Sequence, residues 1–272
     1  MKKSLFRDIS ILVAIFAGIW ILFAYVPWAK LFTAPDFTIS VANEEKLGKI
    51  IVEQAVLKDP SVVVVRDQAV DSAMRVVSHT LVSGIGKTDF EYTFRIIKGD
   101  QVNAFTLPGG NIFIYSGLIE FCDTPEQLCA VLAHEIGHAE KRHVISKLIK
   151  ELGITLLFSV LGGSDNIMIS EIGRTATSTI FDREQEREAD DFSFQLLEHS
   201  GINPKALAVF FRKLSDQFGD YNEHMEILLT HPNNNSRIKA SLEYKVKPGF
   251  AEKKIGVNWG RVLSSIKNQN AK

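Results

Sequence analysis

Residues Leu128–His143 read L-C-A-V-L-A-H-E-I-G-H-A-E-K-R-H, with His134, Glu135 and His138 set as H-E-x-x-H. In a helix, side chains four apart stack on one face, so the two imidazoles reach a single ion. Glu135 lies about 100° round from His134, placed to act on water beside the ion rather than on the ion itself. Zinc as Lewis acid with a carboxylate as proton acceptor is the chemistry this pattern serves. The flanks agree. Thr124, Pro125 and Gln127 form a capping box with proline at the first helical position, and Leu128, Val131, Leu132 and Ile136 recur at helical spacing. The motif is therefore expected in mid-helix and partly buried.

A zinc site needs at least three protein ligands. A metzincin pattern would require glycine at 141 and histidine at 144, where this chain has Lys141 and Val144. His143, five residues beyond His138, points off the ligand face of a continuing helix and is expected to be structural or solvent-facing. A second helix supplies the other solution. Ile180 to His199 contains F-D-R-E-Q-E-R-E-A-D-D-F-S-F-Q-L-L, in which Glu186 and Asp190 are four apart on one face. If one of these carboxylates binds zinc, the other can hold a histidine ring from behind. Glu184 and Glu188 are expected to face other ways.

The rest of the composition sets the class. With 272 residues and 46% hydrophobic content, the chain has material for one large or two small domains. Its 31 Lys+Arg against 32 Asp+Glu leave a net charge of -1, which provides no electrostatic footprint for nucleic acid. Ile9 to Val26 carries no charge over 18 residues, a helix of about 27 Å against a hydrocarbon core of about 30 Å. A single transmembrane signal anchor is expected there. Lys2, Lys3 and Arg7 precede it and Tyr25 and Trp28 mark its exit, so residues 1–8 are placed in the cytoplasm and the remainder on the outer side. A cleaved signal peptide is the rival reading. Cys122 and Cys129 fit neither a zinc ribbon nor a disulfide framework and are expected to pack, with a bridge between them as the alternative in an oxidising compartment.

Along the chain, Asn43–Lys58 and Ala69–Val82 read as amphipathic helices. Phe90–Ile97, Val102–Phe105 and Asn111–Tyr115 read as strands broken at Gly99-Asp100 and Pro108-Gly109-Gly110. Asn111–Tyr115 is placed either to pair with an extended peptide along its edge or to be an inner strand. After the metal helix, Val144–Leu161 is strongly apolar, but its uncharged part, Ile154–Leu161, is too short to span a bilayer. It reads as a core helix or as a cap beside the cleft. Asn203-Pro204 opens a further helix, and Thr230–Arg237 is a loop leading into a last one.

Taken together, N-A-F at Asn103–Phe105, P-G-G at Pro108–Gly110, H-E-I-G-H, R-x-x-E-x-x-A-D from Arg183 to Asp190, and H-P followed by Arg237 resemble the HtpX-like, BepA-like and CAAX-prenyl endopeptidase-like zinc metallopeptidases. The resemblance covers about half the chain. Asp182 stands where the family usually has serine before the arginine, and the single N-terminal span is closest to the BepA-like or Oma-like group. The resemblance implies an α+β, mostly helical zincin-like domain with a small sheet, and the domain is expected from about Asp36 to Phe250, after the one transmembrane helix and before a tail over 251–272. It implies one zinc ion per chain held by His134, His138 and Glu186, with Glu135 as general base, Asp190 behind the ligands, and His231 and Arg237 near the scissile group. In a resting enzyme His231 is alternatively placed on the zinc's open position. The implied activity is endopeptidase cleavage of misfolded or membrane-associated proteins. The competing reading is a chaperone-like binding protein whose zinc is latent or structural.

Overall fold

A computed structural model describes residues 11, 15–18, 20, 39–163, 166–178, 180–218, 231 and 234–270. The chain divides into two compact units, Met1–Ile39 and Ser40–Lys272. The larger is mostly helical with one three-stranded sheet. It opens with α1 (Val41–Ile51), capped by Ser40 and continued by a π-helical turn over Val52–Val56. In α2 (Gln68–Ile85), the Asp67 carboxylate accepts from the first free amides, and Gly86 at φ 81 ends the helix in a conformation other residues resist.

The strands are β1 (Thr93–Ile97), β2 (Ala104–Leu107) and β3 (Asn111–Tyr115). They run in the order β1-β3-β2, with β1 parallel and β2 antiparallel to β3. β3 is therefore the inner strand, and the edge-pairing role considered for Asn111–Tyr115 is excluded because both its sides are already paired. The outer side of β1 is partly taken by Val64, which bridges Ile97. Alternation along the strands splits the sheet into two faces. Ile96, Ala104, Ile112 and Ile114 join the main core, whereas Phe105 and Phe113 stack on the opposite side, centroids 5.2 Å apart and 4° from parallel.

After α3 (Ser116–Phe121) comes α4 (Pro125–Glu140), the helix of the H-E-x-x-H motif. Its start follows the capping logic. The Gln127 amide donates to Thr124 Oγ1, and Gln127 Oε1 accepts from the Asp123 amide. Nearly the whole helix is buried, and Leu128, Leu132 and Ile136 are fully enclosed. Each contributes roughly 1.5–3 kcal/mol by leaving water. Helices α5 (His143–Leu152), α6 (Ile154–Leu161) and α7 (Asn166–Thr177) follow. Then α8 (Arg183–His199) begins with a reciprocal capping box between Asp182 and Gln185. It crosses α4 backbone to backbone: a Cβ built on Gly137 would lie 2.7 Å from the Ala189 carbonyl oxygen.

The domain is completed by α9 (Lys205–Phe218), α10 (Asn234–Glu243) and α11 (Trp259–Asn270). The segment 251–272, expected as a tail, instead carries α11 into the core through Trp259, Val262 and Ile266, and the Trp259 indole donates to the Cys122 carbonyl at 2.9 Å. Cys122 and Cys129 are free and buried, so they pack and the alternative bridge is not formed. Among the described residues no helix is long and apolar enough to cross a membrane. Most of the expected anchor, Ile9–Val26, lies outside the described residues. Those of its residues that are described are helical, with Ile11, Ile15, Phe16 and Trp20 exposed.

Candidate metal centre

Three pieces of chain meet at the motif. α4 brings His134, Glu135 and His138, α8 brings Glu186 and Asp190, and His231 and Arg237 come from the segment entering and forming α10; all seven are buried. His134 Nε2 lies 3.0 Å from His138 Nε2 and 3.5 Å from Glu186 Oε2, and His138 Nε2 lies 3.3 Å from Glu186 Oε1. His231 Nδ1 joins them, 2.8 Å from Glu186 Oε1 and 3.3 Å from His134 Nε2. Donor atoms about 2.0–2.1 Å from a tetrahedral zinc stand about 3.3–3.4 Å apart. These four side chains are set at that spacing.

Charge supplies a second test of fit. Glu135, Glu186 and Asp190 carry three formal negative charges against the one positive charge of Arg237, and all four side chains are buried. A divalent cation closes that balance, and an isolated buried charge is otherwise expensive. The hydrogen-bond account points the same way. Glu135 Oε1, Glu186 Oε2 and Arg237 Nη1 are buried without hydrogen-bond partners. Arg237 Nη1 does lie 3.1 Å from Glu186 Oε2, an ion-pair distance, but out of line for a hydrogen bond.

The surroundings orient these groups. Arg237 grips Asp190 with two donors, Nε to Oδ2 at 2.9 Å and Nη2 to Oδ1 at 2.8 Å, and lies over the Phe211 ring at 4.5 Å. Asp190 Oδ1 and Arg237 Nη2 each lie 2.9 Å from His134 Nδ1, and the carboxylate can accept a hydrogen bond from that nitrogen and so leave Nε2 for an ion. Burial holds His138 well below the ordinary histidine range, which keeps it neutral. For Glu186, burial favours the acid, but His231 and His134 outweigh it and the carboxyl stays ionised far below its usual range. His134 is pulled upward by Glu186 and Asp190 against burial and Arg237. A metal ion held at the centre would supply positive charge in place of a second proton on that ring.

Glu135 uses its two oxygens differently. Oε2 accepts from Thr106 Oγ1 at 2.8 Å, while Oε1 faces His231 Nε2 at 3.5 Å. Thr106 reaches it because it shares the core-facing side of β2 with Ala104. Beneath the histidines, Phe181 stacks on His138 with centroids 3.8 Å apart. A cavity of about 430 Å³, bordered by Arg183, Ser236 and Ala240, leads to Glu186, Asp190 and Arg237.

Of the two places expected for His143, the structure gives the structural one. His143 is not solvent-facing: it is buried, with Nδ1 3.0 Å from His138 Nδ1 and Nε2 3.0 Å from Glu188 Oε2. The cause is a break in the helix. α4 ends at Glu140, Arg142 adopts φ 56, and His143 starts a new helix, so continuous-helix spacing does not apply. No glycine or proline in Glu140–His143 announces the turn. Glu188 accordingly faces away from the metal donors but toward His143, and Thr106 and Phe181 join the site without any motif to mark them.

Comparison with known proteins agrees with this architecture. Residues 66–245 match the model of peptidase family M48. The beta-barrel assembly-enhancing protease of Escherichia coli is 32% identical over 226 residues, 76% of this chain and 44% of that protein. The mitochondrial metalloendopeptidase OMA1 of Schizosaccharomyces pombe is 26% identical over 165 residues, covering 58% and 48%. Metalloprotease LoiP of Escherichia coli is 32% identical over 129 residues, covering 45% and 51%. This chain spans less than half the length of the first of these relatives. With two thirds of its sequence inside the family's boundaries and a donor set suited to zinc at the crossing of α4 and α8, the chain belongs to peptidase family M48.

Proposed function

We propose that this protein is a membrane-anchored zinc endopeptidase that hydrolyses peptide bonds of misfolded or membrane-associated proteins. The observation that carries the reading is the buried His134–His138–Glu186 set at tetrahedral spacing beside a glutamate with one free oxygen. In this reading His134, His138 and Glu186 hold the ion, which when bound polarises the scissile carbonyl and makes water acidic enough to attack. Glu135 Oε1 accepts the water's proton and returns it to the departing amine. Asp190 fixes the tautomer of His134, and Arg237 neutralises Asp190 and faces Glu186. The anchor is supported by the uncharged run Ile9–Val26, and the substrate class by relatives whose names refer to β-barrel assembly and to mitochondria.

His231 has two roles to separate. Its Nδ1 stands among the metal donors, which favours a resting state in which it occupies the fourth position, and its Nε2 is near Glu135, which favours a donor to the developing oxyanion. His231→Ala with zinc retained raises basal cleavage in the first case and abolishes it in the second. For the reaction itself, Glu135→Gln should keep zinc and lose cleavage of an unfolded protein substrate, whereas His134→Ala, His138→Ala and Glu186→Ala should each lose zinc. Undiminished cleavage by Glu135→Gln would exclude the mechanism.

A further inference from the structure

The two histidines of the motif are backed in different ways. His134 meets a buried carboxylate directly, through Asp190. Among the described residues His138 meets no carboxylate at its Nδ1. That atom faces a second imidazole, His143, whose far nitrogen faces Glu188 at 3.0 Å. We infer that His143 and Glu188 form a two-link hydrogen-bond chain that fixes the tautomer of His138 and so presents a bare Nε2 to the metal.

The assignment follows from counting protons along the chain. A carboxylate only accepts, so Glu188 Oε2 requires the proton of His143 on Nε2. The Nδ1 of a neutral His143 is then bare and accepts from His138 Nδ1. His138 in turn has no proton left for Nε2, the atom that lies 3.0 Å from His134 Nε2 and 3.3 Å from Glu186 Oε1. The opposite order sets the bare Nε2 of His143 against the carboxylate, lone pair to lone pair, and puts a proton on the very nitrogen that must bind the ion. A doubly protonated His143 donates to His138 Nδ1 and so leaves the proton of that ring on Nε2, as the opposite order does. Only the first arrangement gives Glu188 its donor and leaves His138 Nε2 bare. Both rings are buried, so water cannot substitute for a missing link, while Glu188 at the outer end is 43% exposed in its side chain. His143 and Glu188 are positioning residues in this scheme. They touch neither ion nor substrate, and they act through His138.

The inference rests on the reading of His138 as a zinc ligand, and the test separates the two. Zinc affinity of the full-length protein is measured by competition with a chromogenic chelator, alongside thermal melting of the zinc-free form and the ¹⁵N signals of His138. Loss of an outer partner of a metal-bound histidine typically weakens binding about 10–100-fold. His143→Phe, which keeps a ring beside Phe181, should fall in that range. Glu188→Ala should weaken zinc by about 10-fold and shift the His138 tautomer without lowering the melting point of the zinc-free protein, because the side chain is half in solvent. Glu188→Gln, which keeps an acceptor but no charge, should lie between Ala and the native residue. Glu188→Ala that binds zinc within about twofold of the native protein with an unchanged His138 tautomer overturns the chain, even if His143→Phe fails to fold. If His138→Ala itself leaves zinc binding intact, the ligand assignment has failed instead.

Discussion

At the scale of single residues, the base of the proposed reaction is held by a hydroxyl outside the motif. Thr106 Oγ1 lies 2.8 Å from Glu135 Oε2 and 2.9 Å from the Glu135 carbonyl, so its one proton is available to the carboxylate while Oε1 remains free. Thr106→Val keeps the shape and removes the donor, leaving a buried carboxylate oxygen unpaired at a cost of about 1–3 kcal/mol. Steady-state kinetics should show kcat lowered roughly tenfold with KM and zinc content unchanged, and Thr106→Ser should restore most of it. An unchanged kcat would reduce Thr106 to packing. Residues that carry a spacing rule were legible in the sequence: His134 and His138 at i and i+4, and Glu186 and Asp190 likewise. Thr106, Phe181, His143 and Glu188 were not, because their places depend on strand facing, on a turn at Arg142, and on how α8 crosses α4. Those are facts of tertiary packing.

At the scale of elements, the site depends on how closely two helices approach. Gly137 and Ala189 bring α4 and α8 together backbone to backbone, and a methyl at 137 would sit 2.7 Å from the Ala189 oxygen and 3.0 Å from its Cα. Gly137→Ala must push Glu186 away from His134 and His138. It should lower stability by about 1–3 kcal/mol and weaken zinc retention in chelator competition; retention equal to the native protein would show that the helices yield without moving the ligands. Helix α6, read from the sequence as a core helix or as a cap, is buried on one face only. Leu157 and Val160 are buried, but Phe158 is 47% exposed. Leu157→Ala should therefore cost about 2–5 kcal/mol in thermal melting, whereas Phe158→Ser should stay within about 0.5 kcal/mol. A cap role survives only if Phe158→Ser changes activity per folded molecule. Helix periodicity revealed α4, α8 and α2 in advance. The order of the strands could not be read that way, since the parallel pairing of β1 with β3 skips over β2 and leaves no local trace.

At the scale of the whole molecule, the proposed topology makes its own prediction. A tag after Lys272 should be cleaved by protease added to the outer face of intact cells or spheroplasts and a tag before Met1 protected; the reverse pattern would invert the anchor. The helical domain itself gathers its site from widely separated chain: Glu186 and His231 are 45 residues apart, and Asp190 and Arg237 are 47. This spread has a consequence for the chain as it is made. His134, His138 and Glu186 have all been synthesised before His231 and Arg237 exist, and at about 5–20 residues per second the delay is several seconds. During that interval Asp190 lacks its counter-charge, so the pocket cannot close around its carboxylates without a large penalty. A partly made chain thus lacks the guanidinium that balances Asp190, and the site closes only once the chain has been made as far as Arg237.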